Sequence, residues 1–295
     1  MLCDVHIHFI PEQLSIHTSF YKGIWTDKLK LYDFLDNHSI EKALLVYPST
    51  DAGIKLGSSK KECQIYNSAL EEIMKENKKI IASCILDLDD LGSVASQIKD
   101  LKNKGFSAIS LPSSYKGSFI VDKLDPVFAA ANECSMPIFI HPQTINPIGF
   151  ERIKDPLLMP VLEYSFDISM CLGLLMMNQV LDKYKIKFIF SSLGGIVPFL
   201  KNRFDRVYLM LRKRELVKDL GKVPSEILQN VYVDTSGSSL GNIELALDLF
   251  GEDNILWGSD YPVNAGIEQN LGMLDKLGSK VKEKIISKNL LKVFG

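Results

Sequence analysis

Short apolar runs alternate with longer amphipathic stretches from one end of this 295-residue chain to the other. The apolar runs cover residues 2–9, 42–48, 80–86, 107–112, 137–141, 187–193, 230–235 and 254–260. Each is the length of a strand and rich in β-branched or aromatic residues, so each predicts a buried β-strand. Between them lie stretches at 26–37, 62–77, 91–104, 125–134, 166–184, 198–215 and 242–250, long enough for crossover helices. Strands with no polar face, regularly separated by helices, predict a parallel sheet covered by those helices. Eight of them in this length predict an α/β fold, a (β/α)8 barrel, as one domain spanning 1–295. A doubly wound open sheet is the competing arrangement, but no Gly-x-Gly-x-x-Gly follows the first strand. Two connections are longer than the rest, at 10–25 and 142–158. Both follow strands, at the barrel end where loops supply substrate contacts.

Composition removes several functions. A hydrophobic content of 46% with 24% charged residues is ordinary for a globular protein with a large core. The net charge of −2 and the lack of a basic run interleaved with aromatics argue against nucleic acid as a partner. The apolar stretches are interrupted short of a membrane span, and no basic-then-apolar leader opens the chain. Five cysteines, at 3, 63, 84, 134 and 171, form no Cys-x-x-Cys pair and read as reduced thiols of a cytoplasmic protein. The expected partner is a small-molecule substrate.

The first predicted strand carries Asp4-Val-His6-Ile-His8. Residues two apart on a strand project to the same side, so the two imidazoles stand together. Two further candidates end other strands: His141 the fifth and Asp260 the eighth. In a barrel these three strand ends meet at one mouth. Three imidazole nitrogens and a carboxylate make a site for one divalent metal, Zn²⁺ first, with Mn²⁺ or Fe²⁺ as alternatives. Such a site keeps a position for water, whose pKa falls toward ~7, and polarises a substrate carbonyl. Each residue also has a plainer account: carbonyl-bonded buried histidines, a polar strand end at His141, a turn cap at Asp260. Smaller signals remain open. The amides of Gly194 and Gly195, ahead of Pro198, suit a substrate carboxylate or a plain tight turn. Arg152 on the fifth loop suits an acidic substrate or solvent. Trp25 either lines the mouth or packs the first loop. His38 reads as a helix C-terminal cap.

Taken in order, Asp4-Val-His6-Ile-His8-Phe-Ile-Pro11, Ile140-His141-Pro142, Ser192-Leu-Gly194-Gly195-Ile-Val-Pro198 with Arg206 downstream, Val233-Asp-Thr-Ser-Gly237 and Gly258-Ser-Asp260-Tyr-Pro262 resemble a known family. It is the amidohydrolase-related family of metal-dependent TIM barrels, in the branch holding aminocarboxymuconate-semialdehyde decarboxylase and γ-resorcylate decarboxylase. The resemblance implies His6, His8, His141 and Asp260 as metal ligands and a homodimer. That branch has no lysine bridging two metals, and residues 107–114 contain none. One position departs. Where the family carries an acid/base histidine at the end of the sixth strand, this chain has Ser192. A hydroxyl cannot act as a base near neutral pH. Three outcomes are open: the usual reaction is slowed by ~10²–10⁴, Asp260 or His17 takes over, or the substrate relays its own proton. The leading expectation is a metal-dependent hydrolase of a small carbonyl- or carboxylate-bearing metabolite. The alternatives are a non-oxidative decarboxylase of an aromatic or muconate-like acid, and a metal-dependent binder without turnover.

Overall fold

The structure, a computed structural model, describes residues 1–147, 155–263 and 266–295. Eight strands pair in sequence order, all parallel: β1 (Leu2–Ile7), β2 (Ile40–Leu45), β3 (Ile80–Cys84), β4 (Ala108–Pro112), β5 (Ile138–His141), β6 (Phe188–Phe190), β7 (Tyr232–Asp234) and β8 (Ile255–Leu256). Crossover helices follow them: α1 (Lys28–Asn37), α2 (Ser59–Glu76), α3 (Val94–Asn103), α4 (Asp125–Glu133), α5 (Tyr164–Met177), α6 (Lys201–Lys213) and α7 (Leu240–Phe250). This is the (β/α)8 barrel. Seven of the eight expected strands contain the observed one, while β2 begins earlier than expected, at Ile40; the ends of β4 and β5 coincide with the expected ones, and the other six are overrun at the C-terminal end, most at β2, β6 and β8. There the apolar run continues as the chain leaves the ladder and bends into the mouth.

The last strand is joined to the first by backbone bonds rather than a regular ladder. Val5 N–H donates to the Trp257 carbonyl (2.9 Å), Asp260 N–H to His6 (2.8 Å) and His8 N–H to Tyr261 (2.8 Å). Asp4 clamps the same seam. Its Oδ1 accepts from the His6 and Ser259 amides, each at 3.0 Å. Burial pushes the Asp4 carboxyl up to about 7, and its Oδ2 has no partner among the described residues.

Two layers of core result. Cys3, Val5, Leu44, Val46, Ala108, Phe139, Ile189, Tyr232 and Leu256 pack together inside the barrel, with Leu290 and Val293 closing its base. Ile7, Ala43, Leu45, Ile109 and Leu111 pack outward against the helices. Leu290 and Val293 belong to α9 (Asn289–Phe294), which with α8 (Ile267–Leu274) follows β8; neither was expected from the pattern. The predicted helix at 166–184 is broken by Gln179, whose φ of 59° ends α5. With the turn before it, α5 forms one apolar helix, Met159–Met177, long enough by length and composition alone to cross a membrane. Its inner side packs on the barrel through Ile168, Leu172 and Leu175, while Phe166 and Met170 face out. His38 caps α1 as expected, its Nδ1 3.0 Å from the Phe34 carbonyl.

Candidate active site

The mouth holds a cavity of about 1130 Å³, and His6, His8, His141 and Asp260 lie on its floor. A simple two-residue alternation would put Cys3 and Val5 on one side of β1 and His6 and His8 on the other. The pairing of β1 with β2 shifts register between Asp4 and Ile7. That irregularity lets Cys3 and Val5 fill the barrel while His6 and His8 face the cavity above them. Gly258 completes the fit, because a Cβ there would stand 2.8 Å from the His6 Cβ.

All three imidazoles are buried, and one atom of each lies within 4.8 Å of the others. Their Nδ1 atoms are committed. His6 Nδ1 donates to Asp234 Oδ2 (2.8 Å), His8 Nδ1 to the Val46 carbonyl (2.9 Å) and His141 Nδ1 to the Pro142 carbonyl (2.9 Å). Carbonyls and carboxylates only accept, so each Nδ1 carries a proton and each Nε2 is left as the atom that gives a lone pair to a cation, either a metal or, at His6 beside Asp234, a second proton when no metal is bound. The Nε2 atoms of His6 and His8 are only 3.1 Å apart. Lone pairs converging in a buried pocket repel unless a cation stands between them. The residues therefore fit a divalent metal, with the outer hydrogen bonds that metal-ligating histidines require. Burial and the neighbouring imidazoles push His141 well down. Burial also lowers His8. For His6 burial is outweighed by Asp234 beside it, which holds the imidazole up at about 9.

Asp260 stands at the edge of the cluster. Its Oδ1 is 3.2 Å from His8 Nε2 and 3.6 Å from His6 Nε2, and its side chain is 23% exposed to the cavity. Its φ of 61° is left-handed, a cost held in place by the seam bonds and characteristic of working sites. It can complete a ligand set or carry a proton.

Other expected residues divide. Trp25 is buried and stacks on His8, centroids 5.6 Å apart, so it both lines the mouth and packs the loop. Ser192 faces the cavity with φ 50°, the first of four left-handed residues through Gly195. Gly195 is required, since a Cβ there would overlap the Ser165 carbonyl on α5. The proposed carboxylate cradle at Gly194 and Gly195 does not form: their amides donate to the Ser191 and Ser192 carbonyls, each at 3.0 Å. The tight-turn account is the correct one. His17 is half-buried in the first loop and is not among the described residues that line the cavity. Arg152 lies outside the described residues.

Three residues of the site went unassigned in the sequence. Asp234 holds His6 from 228 positions away, a contact no local pattern announces. Its other oxygen, Oδ1, accepts from the Ser192 amide (3.0 Å), the Ser236 amide (2.9 Å) and the Ser236 hydroxyl (2.6 Å). Burial opposes the charge on Asp234, but His6 and these donors keep its carboxyl below the usual range. Ser191 and Ser236 line the cavity beside Ser192.

The amidohydrolase family profile matches residues 3–295. The chain belongs to the amidohydrolase family. Among curated proteins it is 22% identical over 282 residues to the 2-amino-3-carboxymuconate-6-semialdehyde decarboxylase of Dictyostelium discoideum, covering 92% of this chain and 69% of that protein. Among solved structures it resembles the 2,6-dihydroxybenzoate decarboxylase from Rhizobium, with a TM-score of 0.81 at 18% identity over 100% of this chain and 99% of that one. It also resembles the 5-carboxyvanillate decarboxylase of Novosphingobium aromaticivorans, solved with bound manganese, with a TM-score of 0.82 at 20% identity over 100% and 97% of the two chains. At these identities the solved structures establish the fold alone. The family is one of metal-dependent enzymes, and the three-histidine cluster fits that requirement.

Proposed function

We propose that the protein is a metal-dependent carboxy-lyase that removes CO₂ from a small acid with a flat, unsaturated body. The observation that carries this reading is the distribution of polarity in the cavity. Its walls are Phe20, Tyr21, Trp25, Ile145, Val161, Ile168 and other apolar or aromatic groups, and no lysine or arginine is among its described lining residues. Among the described lining residues, compensating charge for an acid is offered only at the histidine cluster. The decarboxylases named above make the same assignment by likeness, and they favour it over hydrolysis.

In the reaction the carbon–carboxylate bond breaks, its electron pair stays on the carbon, and a proton replaces the CO₂. A divalent ion, held by His6, His8 and His141 with Asp260, would neutralise the substrate carboxylate and draw electron density from its body. Zinc suits the donor set, and manganese suits it through the carboxylate. Asp260 is the cavity carboxyl placed beside that position, and it carries the proton to the carbon. The aromatic wall of Tyr21 and Trp25 orients a flat body and keeps water from the carbon. Hydrolysis needs a base for an attacking water, and Ser192 is not one. The test is CO₂ release from a panel of hydroxylated benzoates and dienoic acids by protein loaded with Zn²⁺ or Mn²⁺. Release that depends on metal supports the reading. Cleavage of esters, lactones or amides with no CO₂ from any acid overturns it in favour of a hydrolase using Asp260 as base.

A further inference from the structure

The cavity wall at the ends of β6 and β7 is built from three serine hydroxyls, and their hydrogen bonds have a fixed direction. Asp234 Oδ1 already receives two backbone amides, so the Ser236 hydroxyl, 2.6 Å away, must donate its proton there. With that proton spent, Ser236 Oγ can only accept from Ser192 Oγ, 3.3 Å away. Ser192 then has only lone pairs left for the cavity. Ser191 is the reverse. It is fully buried, lines the same cavity, and its Oγ has no partner among the described residues, so its proton is not committed to any of them. A buried hydroxyl without a partner is costly and marks a place where a ligand group belongs.

We propose that Ser191, Ser192 and Ser236 form a substrate subsite that takes a hydroxyl group, with Ser191 donating to it and Ser192 accepting from it. This rests on the carboxy-lyase reading for its substrate class, an acid bearing a hydroxyl in addition to the carboxylate. A hydroxyl both donates and accepts, so it satisfies both serines. A methoxy group satisfies only Ser191. A second carboxylate would set its lone pairs against those of Ser192, with no cation among the described lining residues to offset them. The subsite thus makes Ser192 a specificity-determining residue in this chain, in place of an acid/base.

The test is isothermal titration of the metal-loaded protein with two matched pairs of probes. One pair is hydroxybenzoate and methoxybenzoate, as the 2- and 3-isomers. The other is phenol and anisole, which carry no carboxylate. The expected result is binding of the hydroxyl member at least about tenfold tighter in both pairs, since sites built for a hydroxyl discriminate strongly against its absence. Ser192→Ala should cut that ratio toward one, whereas Ser191→Ala should weaken both members of each pair alike and leave the ratio standing, while metal content by elemental analysis and melting temperature show the variants folded and loaded. Equal binding of hydroxyl and methoxy members by the unaltered protein overturns the subsite. A preference that survives in Ser192→Ala also overturns it, because the discriminating group then lies elsewhere. Failure of the carboxy-lyase reading looks different: benzoates bind no better than phenols, while the phenol–anisole preference remains and is still lost in Ser192→Ala.

Discussion

The two sides of the cavity are built on opposite plans. Along β1, β5 and β8 every imidazole has spent one nitrogen on a carbonyl or carboxylate and turns the other inward. Along β6 and β7 the groups are hydroxyls, one of them with no partner among the described residues. The first side is rigid, with donors and acceptors settled before anything binds. The second still has hydrogen-bonding capacity to give. Asp234 belongs to both, holding His6 with one oxygen and ending the serine chain with the other. A change of side chain at Ser192 can thus leave the histidine cluster's own hydrogen bonds untouched, since Asp234 meets Ser192 through its backbone amide.

The largest effect should come from breaking the histidine side outright. The His6→Ala/His8→Ala double variant should drop metal content from about one ion per chain to near zero and abolish CO₂ release, read by elemental analysis and a gas-release assay. Equal metal in both proteins would show that the cluster is not the site. Next in size is Ser192→His, which imposes the plan of one side on the other. Histidine tolerates the left-handed backbone at this position better than most residues. Turnover of a hydroxyl-bearing acid should fall at least about tenfold, because the substitution takes away the acceptor that Ser192 offers the substrate. A rise of about 10²-fold, with a new limb near pH ~6–7 in the pH–rate profile, would show that the position serves as an acid/base and would count against the hydroxyl subsite. Asp234→Asn probes the residue shared by the two sides. Loss of the charge behind His6 should weaken metal binding by about 10–100-fold, measured by competition with a chelator. Unchanged affinity would mean that packing alone orients the imidazole. Stripping the metal from the unaltered protein should lower its melting temperature by several degrees, since the unfolded chain has no preformed site; no change would argue that the loops are held without it.

The smallest effect lies on neither side and serves as a control. Glu62 on α2 accepts from the Tyr47 hydroxyl and the Gly53 amide, and burial, its dominant influence, holds its carboxyl above the usual range. The folded state therefore keeps this proton to higher pH than the unfolded chain does. Stability contributed by the protonated form is present at low pH and declines as pH rises from the ordinary glutamate value of about 4.3 through the raised folded one. Glu62→Gln should flatten that decline, by no more than about 2 °C in melting temperature, and leave metal content unchanged. An altered metal content would mean that the second loop is coupled to the cluster.

The sequence by itself determined the barrel, because eight apolar runs separated by helix-length stretches have few other ways to bury themselves. It also determined the metal-binding histidines as candidates, since the two-residue period of a strand puts His6 and His8 on one side whatever surrounds them. Ser192 was legible as a departure from a family pattern. What the sequence did not contain was the pairing of residues far apart in the chain. The partner of His6 lies 228 positions away, and only closure of the barrel, which sets β8 beside β1, brings the end of β7 within reach of His6. The register shift in β1, which turns both Val5 and His6 inward, follows from its pairing with β2 and not from its own pattern. The amides of Gly194 and Gly195 looked free in one dimension and are spent in three, because the left-handed turn folds them onto their own carbonyls. The direction of the serine chain was likewise decided by tertiary structure. A hydroxyl can donate or accept, and only the carboxylate it meets settles which.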